Sequence, residues 1–302
     1  MAGLDASRVL RNVPLAPYTT FRLGGPADWL VLAQNATEVR VAVAAARAAR
    51  LPITIIGGGS NLLVADAGVR GVVIRVHGGE ARQIRDGLVR ADAGLTINGL
   101  ARWTINRGLA GLEAWAGTPG TVGGAVYGNA HFKGRLISEL VDSVELLAAD
   151  GEVARVPARE MVFGYDTSRL QRTREVLLSA DLHVTPGDPP ALRAIARTSL
   201  AFRKRTQPLD TPSAGCIFQN PDPAVDRIPD GIPPSAGALV DRAGLKGARE
   251  GGAVVSAAHG NFIVNDGTAT AEDIRRLIER CRRGVRARYG LELRDEIVYV
   301  GF

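Results

Sequence analysis

The residues best suited to chemistry stand between two apolar runs, in the stretch Gly57-Gly58-Gly59-Ser60-Asn61. Three consecutive glycines leave backbone N–H groups bare and able to approach a ligand closely, and successive N–H groups in such a turn form an anion site. Ser60 and Asn61 add hydrogen-bonding side chains. The stretch is neither a dinucleotide fingerprint nor a P-loop, because Leu62 replaces the third glycine and no Gly-Lys-Ser/Thr follows. It predicts a ligand-binding loop, with an ordinary strand-ending turn as the alternative.

A second glycine-rich region covers residues 117–130 and contains Pro119, Gly120, Thr121, Gly123 and Gly124. Its valines, tyrosine and asparagine are not the residues of a flexible linker. The region therefore predicts a second loop whose backbone comes close to a ligand.

The composition is that of a globular protein: of 302 residues, 46% are hydrophobic and 23% are charged. No apolar run is long enough to span a membrane, and the first residues lack the basic start and apolar stretch of an export signal. The two cysteines, Cys216 and Cys281, are not in metal-binding spacing. This favours a reducing compartment, no disulfide and no metal site.

The net charge of +6 raises the question of nucleic-acid binding. Seven arginines lie between residues 275 and 288, in a segment whose apolar residues form one helical stripe. Aromatic residues make up only 5% of the chain and do not interleave with these arginines, which argues against a base-stacking surface. The pattern favours a solvated helix face.

Hydrophobic periodicity predicts alternating helices and strands. The predicted helices cover residues 38–50, 96–107, 189–205, 235–244 and 271–289. The predicted strands cover residues 29–32, the residues just before Gly57, 72–76, 88–93, 141–148, 153–156, 177–184, 253–256, 262–264 and 297–300. Residues 1–20 are predicted to form an irregular lead-in.

Six motifs, taken in order, resemble the UDP-N-acetylenolpyruvoylglucosamine reductase family. They are Thr19-Thr20-Phe21-Arg22-Leu23-Gly24-Gly25-Pro26-Ala27-Asp28, Gly57–Leu63, Pro119-Gly120-Thr121-Val122-Gly123-Gly124-Ala125, Gln207–Gly215, Phe218 with Asn220-Pro221, and Phe262-Ile263-Val264-Asn265. The likeness runs from about residue 12 to the C-terminus, and the compact length matches the shorter structural type of the family.

The resemblance implies an α+β protein with the FAD-binding fold of the vanillyl-alcohol-oxidase type and a C-terminal substrate domain. The implied domains are residues 1–78 and 79–206, which bind FAD, and residues 207–296, with residues 297–302 returning to the first domain. Non-covalent FAD would lie along Gly57–Asn61 and along Pro119–Gly124, and NADPH would be the reductant.

The resemblance also implies the reaction, in which reduced FAD gives hydride to the enolpyruvyl group of UDP-GlcNAc-enolpyruvate and an acid protonates the adjacent carbon. Cys216 stands where the family usually has the serine acid, and a thiol of ordinary pKa, about 8.5, is mostly protonated near neutral pH. Glu296 matches the glutamate that helps to polarise the carboxylate end of the substrate. Tyr165 and Asn220 match substrate-binding positions.

One departure concerns the substrate carboxylate. The family typically has Tyr-Arg where this chain has Tyr165-Asp166, and an acid there would repel a carboxylate. Arg169 is expected to take the role, with Arg203 or Arg205 as the alternatives.

Other functions remain open at this stage. They are a different flavin oxidoreductase or oxidase of the same fold, a non-catalytic nucleotide- or RNA-binding module, and a homologue inactivated at Asp166. The interpretation as a reductase predicts a cytoplasmic monomer that binds neither nucleic acid nor a membrane.

Overall fold

The structure is a computed structural model and describes residues 4–302. The first three residues of the predicted lead-in and first domain lie outside the described residues. Two compact units make up the chain. Unit 1 comprises the residues up to Asn12, Asp28–Gly58 and Arg70–Phe202, and unit 2 comprises Val13–Ala27, Gly59–Val69 and Arg203–Phe302.

The chain forms mixed helices and strands. Strands β1 to β18 are, in order, Val9–Pro14, Pro26–Ala33, Ile53–Ile56, Leu62–Val64, Val69–Val76, Ala81–Arg85, Leu88–Asp92, Leu109–Ala110, His131–Phe132, Arg135–Leu136, Val141–Leu147, Val153–Pro157, Val176–His183, Thr185–Pro186, Arg249–Glu250, Ala253–Val255, Ile263–Asn265 and Val298–Val300. Helices α1 to α6 are Ala36–Ala48, Ile97–Asn106, Val122–Tyr127, Pro189–Thr206, Ala236–Arg242 and Ala271–Tyr289.

Unit 1 is built on two sheets. The first has the order β1-β2-β5-β3, with β3 and β5 parallel, and the second is the antiparallel sheet β12-β11-β13-β7-β6. Helix α1 contacts β3 and β13, and α3 contacts β13 and β7. Small apolar side chains, among them Val39 and Val43, form the buried face of α1. They allow the helix to pack closely into the core of this unit.

In unit 2, helix α6 lies against the small sheet β15-β16-β17 and against α5. The helix begins in a capping box formed by Thr270 and Asp273 and ends at Gly290, whose φ is 67°. Its stripe of Ile274, Leu277, Cys281 and Val285 is buried in the core of the unit. Strand β18 pairs in parallel with β4.

The arginine-rich face of α6 is neutralised by carboxylates of the same unit. Arg282 contacts Glu279 and makes a two-point ion pair with Asp295, and both Arg275 and Arg276 contact Glu272. These charges are thus engaged within the unit. Within residues 4–302, no helix combines the length and apolar character needed to cross a membrane.

Most predicted elements are present with ends shifted by one to three residues, and the predicted mixed α and β content is confirmed. The prediction of an irregular lead-in over residues 1–20 was wrong for its centre, where β1 forms next to β2, because pairing with another strand decides strand formation as much as local sequence does. The second glycine-rich region is also not wholly a loop, since α3 occupies Val122–Tyr127. The domain boundaries at residues 78, 206 and 296 stay predictions.

Candidate active site

The two predicted glycine loops lie against each other in unit 1. A Cβ added at Gly58 would stand 2.7 Å from the Cα of Gly120, and a Cβ added at Gly57 would overlap the Thr121 hydroxyl. Carbon atoms in contact ordinarily lie about 3.5–4.0 Å apart, so this approach requires glycine. The structure thus brings together the two stretches that were predicted from the sequence to bind the cofactor.

The second loop is fixed by its own hydrogen bonds. Thr121 caps α3, accepting from the N–H of Gly124 at 3.3 Å, while the N–H of Gly123 donates to Ala93 O at 2.8 Å. Gly120 has φ +96°, a left-handed value that glycine adopts without strain. Beside the loop is a cleft of about 270 Å³, lined by Thr96, Asn98, Gly117, Thr118, Pro119 and Gly120.

The rest of the first loop belongs to unit 2. Gly59 has φ +65° and its carbonyl accepts from the N–H of Thr20 at 3.0 Å. Ser60, which is half-buried, follows it. The amide Nδ2 of Asn61 donates to Glu296 O at 3.0 Å, and Asn61 O accepts from Val298 N. The predicted cofactor loop is therefore joined to the segment that carries the predicted catalytic glutamate.

Cys216 and Glu296, the two predicted catalytic residues, lie on adjacent segments of unit 2. The N–H of Glu296 donates to Ile217 O at 2.8 Å, and Phe218 forms a bridge with Asp295. Cys216 is half-buried. These backbone bonds hold the segments that carry Cys216 and Glu296 side by side, although the two residues are 80 positions apart in the sequence.

Arg203 lies near Cys216 within unit 2 and is only 6% exposed. Burial lowers the pKa of Arg203 to about 10, and negative charge on Cys216 acts in the opposite direction. A buried guanidinium is thus present near the Cys216 thiol. Arg205, its predicted alternative, is exposed at the end of α4.

Arg169 is already engaged in unit 1. Its Nε donates to Glu175 Oε2 at 2.9 Å and its Nη2 to Glu175 Oε1 at 2.7 Å, a two-point pair of the kind that best matches a guanidinium. The carboxylate-binding role predicted for Arg169 would require it to leave this pair, and it stays a prediction. Asn220, in unit 2, accepts from the N–H of Ala236 at the start of α5.

Where the family arginine was expected, unit 1 has a carboxylate paired with a histidine. Asp166 Oδ1 lies 3.1 Å from His131 Nδ1, and the His131 and Tyr165 rings are 5.1 Å apart. Sequence reasoning missed His131, because it is 35 residues from Asp166 and lies in neither glycine loop. In the sequence, only the unexpected acid at position 166 indicated that a partner for its carboxylate had to lie nearby.

Comparison with known proteins places both parts of the chain in described families. The family "UDP-N-acetylenolpyruvoylglucosamine reductase, C-terminal domain" matches residues 207–300, and the family "FAD binding domain" matches residues 27–157.

Full-length relatives agree with these matches. UDP-N-acetylenolpyruvoylglucosamine reductase of Bacillus velezensis is 40% identical over 299 residues, which cover 98% of this chain and 95% of the relative. The enzyme of the same name from Bacillus subtilis (strain 168) is 39% identical, with the same coverage. The crystal structure of UDP-N-acetylenolpyruvylglucosamine reductase (MurB) from Thermus caldophilus superposes with a TM-score of 0.79 at 34% identity, covering 97% of this chain and 99% of that one.

Proposed function

The chain belongs to the UDP-N-acetylenolpyruvoylglucosamine reductase family, and we propose that it reduces UDP-N-acetylglucosamine enolpyruvate to UDP-N-acetylmuramate with NADPH as the reductant. The product is a precursor of peptidoglycan, and both nucleotide substrates point to a cytoplasmic enzyme. The backbone pairing of the segments that carry Cys216 and Glu296 in unit 2 supports the proposal.

The chain carries an FAD binding domain, and its residues fit that cofactor. At Gly57 and Gly58 the backbone is so close to Thr121 and Gly120 that no Cβ can be placed there. Bare N–H groups of this kind suit a diphosphate, and the cleft beside Pro119 and Gly120 is open to a ligand. Bound FAD would supply the hydride chemistry, while the protein supplies orientation and electrostatics.

Cys216 is the proposed proton donor. When the enolpyruvyl double bond receives hydride at its terminal carbon, negative charge develops on the adjacent carbon and spreads into the carboxylate, and a positioned acid must then protonate that carbon. As the thiol gives up its proton, the charge of the buried Arg203 stabilises the thiolate that remains.

Glu296 is proposed to act at the carboxylate end of the substrate. Its backbone is held on both sides, by the bond from its N–H to Ile217 O and by the bond from Asn61 to its carbonyl. A side chain on so fixed a backbone needs little reorganisation during the reaction. The link to Asn61 would couple this position to the loop that holds the cofactor.

The test uses purified enzyme without air. We expect NADPH to bleach the flavin absorption near 450 nm and UDP-N-acetylglucosamine enolpyruvate to restore it. Cys216→Ala should bleach at the wild-type rate but recover its colour at least about 100-fold more slowly, since general acid catalysis contributes about 10²–10⁴-fold. Cys216→Ser should recover faster than Cys216→Ala.

Cys281→Ala is the matched control, because Cys281 is buried in the α6 core, and both of its half-reactions should keep wild-type rates. Recovery of Cys216→Ala at the wild-type rate would refute the proton-donor role. A wild-type protein that bleaches with NADPH but does not recover with the enolpyruvyl substrate would refute the proposed reaction.

A further inference from the structure

Asn261, in unit 2, holds the two residues that follow Cys216. Its main-chain carbonyl accepts from the N–H of Ile217 at 2.9 Å. Its side chain bonds both main-chain groups of Phe218, since Oδ1 accepts from the N–H at 2.9 Å and Nδ2 donates to the carbonyl at 2.7 Å. The fourth main-chain group, Ile217 O, accepts from the N–H of Glu296. Three of the four main-chain polar groups after Cys216 therefore bond to Asn261.

The carboxamide of Asn261 takes the place of a neighbouring strand. It offers both N–H donors and a carbonyl acceptor, and it uses one of each on Phe218. The buried peptide groups of that residue are thereby satisfied, as buried polar groups usually are. Asn261 itself is only 2% exposed and offers a bound substrate almost no surface. Any effect that it has on a reaction must therefore pass through the residues that it holds.

The turn that carries Asn261 is fixed by bonds of its own. His259 Nδ1 accepts from the N–H of Asn261 at 3.1 Å, and the N–H of Phe262 donates to His259 O at 3.0 Å. The N–H of Ser256 donates to Phe262 O at 2.8 Å. Helix α5 lies directly against the turn, because a Cβ added at Gly237 would stand 2.9 Å from His259 Cε1. Asn261 is thus carried by a turn that is closely packed and fully bonded.

The bond from Asn261 to His259 requires a neutral imidazole, because Nδ1 can accept only when it carries no proton. Burial lowers the pKa of His259, and the positive charge of Lys246 lowers it further. The neutral form therefore predominates at pH 7, and the turn keeps this bond under the conditions of an activity assay.

We propose that Asn261 is a positioning residue for Cys216, the proton donor of the proposed reaction. The inference rests on the proposed function, which gives the thiol that role. Ile217 and Phe218 are buried, whereas Cys216 is half-buried. The bonds to Asn261 thus fix the chain immediately after the thiol and set where it stands. A displacement of about 1 Å at a reacting group can reduce a rate about 100-fold.

Asn261→Asp removes one half of the side-chain contact and keeps its shape. The carboxylate can still accept from the N–H of Phe218, but when ionised it cannot donate to Phe218 O. At about pH 8.5 we expect the reduced flavin to recover its colour with the enolpyruvyl substrate about 10- to 100-fold more slowly than in wild type. Reduction by NADPH should stay within twofold of wild type. Iodoacetamide should alkylate Cys216 of the holoenzyme at least fivefold faster, because the thiol is held less firmly.

The pH dependence of these two defects separates the contact from a general loss of stability. Burial raises the pKa of a carboxyl group, and the protonated form has an O–H that can donate to Phe218 O. Each defect of Asn261→Asp, expressed relative to wild type at the same pH, should therefore shrink at least threefold between about pH 8.5 and pH 6. His259 titrates in both proteins, so its protonation alone does not change this ratio.

A double-mutant cycle shows whether Asn261 acts through Cys216. In a protein that already carries Cys216→Ala, the further change Asn261→Asp should slow flavin recovery by no more than about twofold. A further loss of tenfold or more would mean that Asn261 affects the reaction by another route, and it would overturn the assignment.

Asn265→Asp is the matched control. Asn265 is 4% exposed, and its Nδ2 donates to Phe21 O at 2.9 Å, so the same substitution breaks the same kind of bond to a different segment. Its flavin recovery and its alkylation at Cys216 should stay within twofold of wild type, whatever the fall in its melting temperature. Cys281, buried in the same unit, should not be alkylated faster in either variant, since its modification reports opening of the whole unit.

Wild-type rates of flavin recovery and of Cys216 alkylation in Asn261→Asp would overturn the positioning role, and so would defects of equal size in Asn265→Asp. If Asn261→Asp does not fold, Asn261→Ser is judged by the same rates and the same control. A wild-type holoenzyme that does not recover its colour with the enolpyruvyl substrate would refute the proposed function. The alkylation ratio and its pH dependence would then decide by themselves whether Asn261 positions Cys216.

Discussion

Gly58→Ala tests whether contact between the two glycine loops is needed to bind FAD. The added Cβ would lie 2.7 Å from Gly120 Cα and 3.4 Å from the C and N atoms of Gly120. Because an ordinary carbon contact is about 3.5–4.0 Å, one of the two backbones must move by about 1 Å. The atoms in the way belong to the backbone, so no side-chain rotation can relieve the overlap.

The size of the effect follows from this displacement. A shift of about 1 Å breaks hydrogen bonds from the loop to an anionic group, and each bond to a charged partner contributes about 1.5–3 kcal/mol. Losing one or two of them amounts to about 1.5–6 kcal/mol, so FAD should bind about 10- to 20,000-fold more weakly. Titration of the apoprotein with FAD, followed by quenching of flavin fluorescence, measures this directly.

Gly128→Ala is the matched control. It lies just after α3, its φ of −94° suits alanine, and its added Cβ would meet Gly124 O at an ordinary distance of 3.7 Å. Its affinity for FAD should stay within threefold of wild type, and the melting temperature of each apoprotein shows whether folding has changed. A Gly58→Ala protein that binds FAD within threefold of wild type would refute the proposed role of the loop contact.

Two other predictions concern the cysteines and a buried ion pair. Burial raises the pKa of Cys281 to about 12, so iodoacetamide at pH 8 should modify the half-buried Cys216 first, as peptide mass spectrometry would show; preferential modification of Cys281 would contradict this. Burial tends to raise the pKa of Asp181, but hydrogen bonds from Arg90 and nearby positive charges bring it below its ordinary value. This stabilisation is present above the unfolded pKa of about 3.9 and is lost as the pH falls through the folded value. In urea unfolding, Asp181→Asn should therefore cost about 3 kcal/mol at pH 7, with a smaller difference near pH 3; an equal loss at both values would contradict the linkage.

The regular elements could be predicted because local signals agreed with the tertiary structure. Helix α6 was predicted over residues 271–289 and has those bounds, since Thr270 caps one end, Gly290 the other, and the apolar stripe between them is buried. Helix α3 could not be predicted in this way. Two of its six residues are glycine, which has a low helix propensity, and bonds such as Gly123 N to Ala93 O supply what the local sequence lacks.

The candidate site was only partly accessible from the sequence. Both glycine loops could be found, because repeated glycine has few uses other than close backbone approach. That they touch each other depends on the fold and was not visible in the chain. Cys216 and Glu296 were each selected through the family resemblance, and in the structure a backbone bond between Glu296 and Ile217 holds their segments side by side. The roles assigned to these residues stay predictions.

The departure at Asp166 illustrates why a single position can mislead. Considered alone, an acid in place of an arginine suggests a lost substrate contact or an inactive enzyme. In the structure, however, Asp166 is one half of a pair: its Oδ1 lies 3.1 Å from His131 Nδ1, and its left-handed backbone is held by Gln171 and by the bonds between Gly164 and Thr167. A partner for the Asp166 carboxylate is thus present, carried by a residue 35 positions earlier. The unit to compare between relatives is therefore the combination of residues 131 and 166, because the two side chains contact each other.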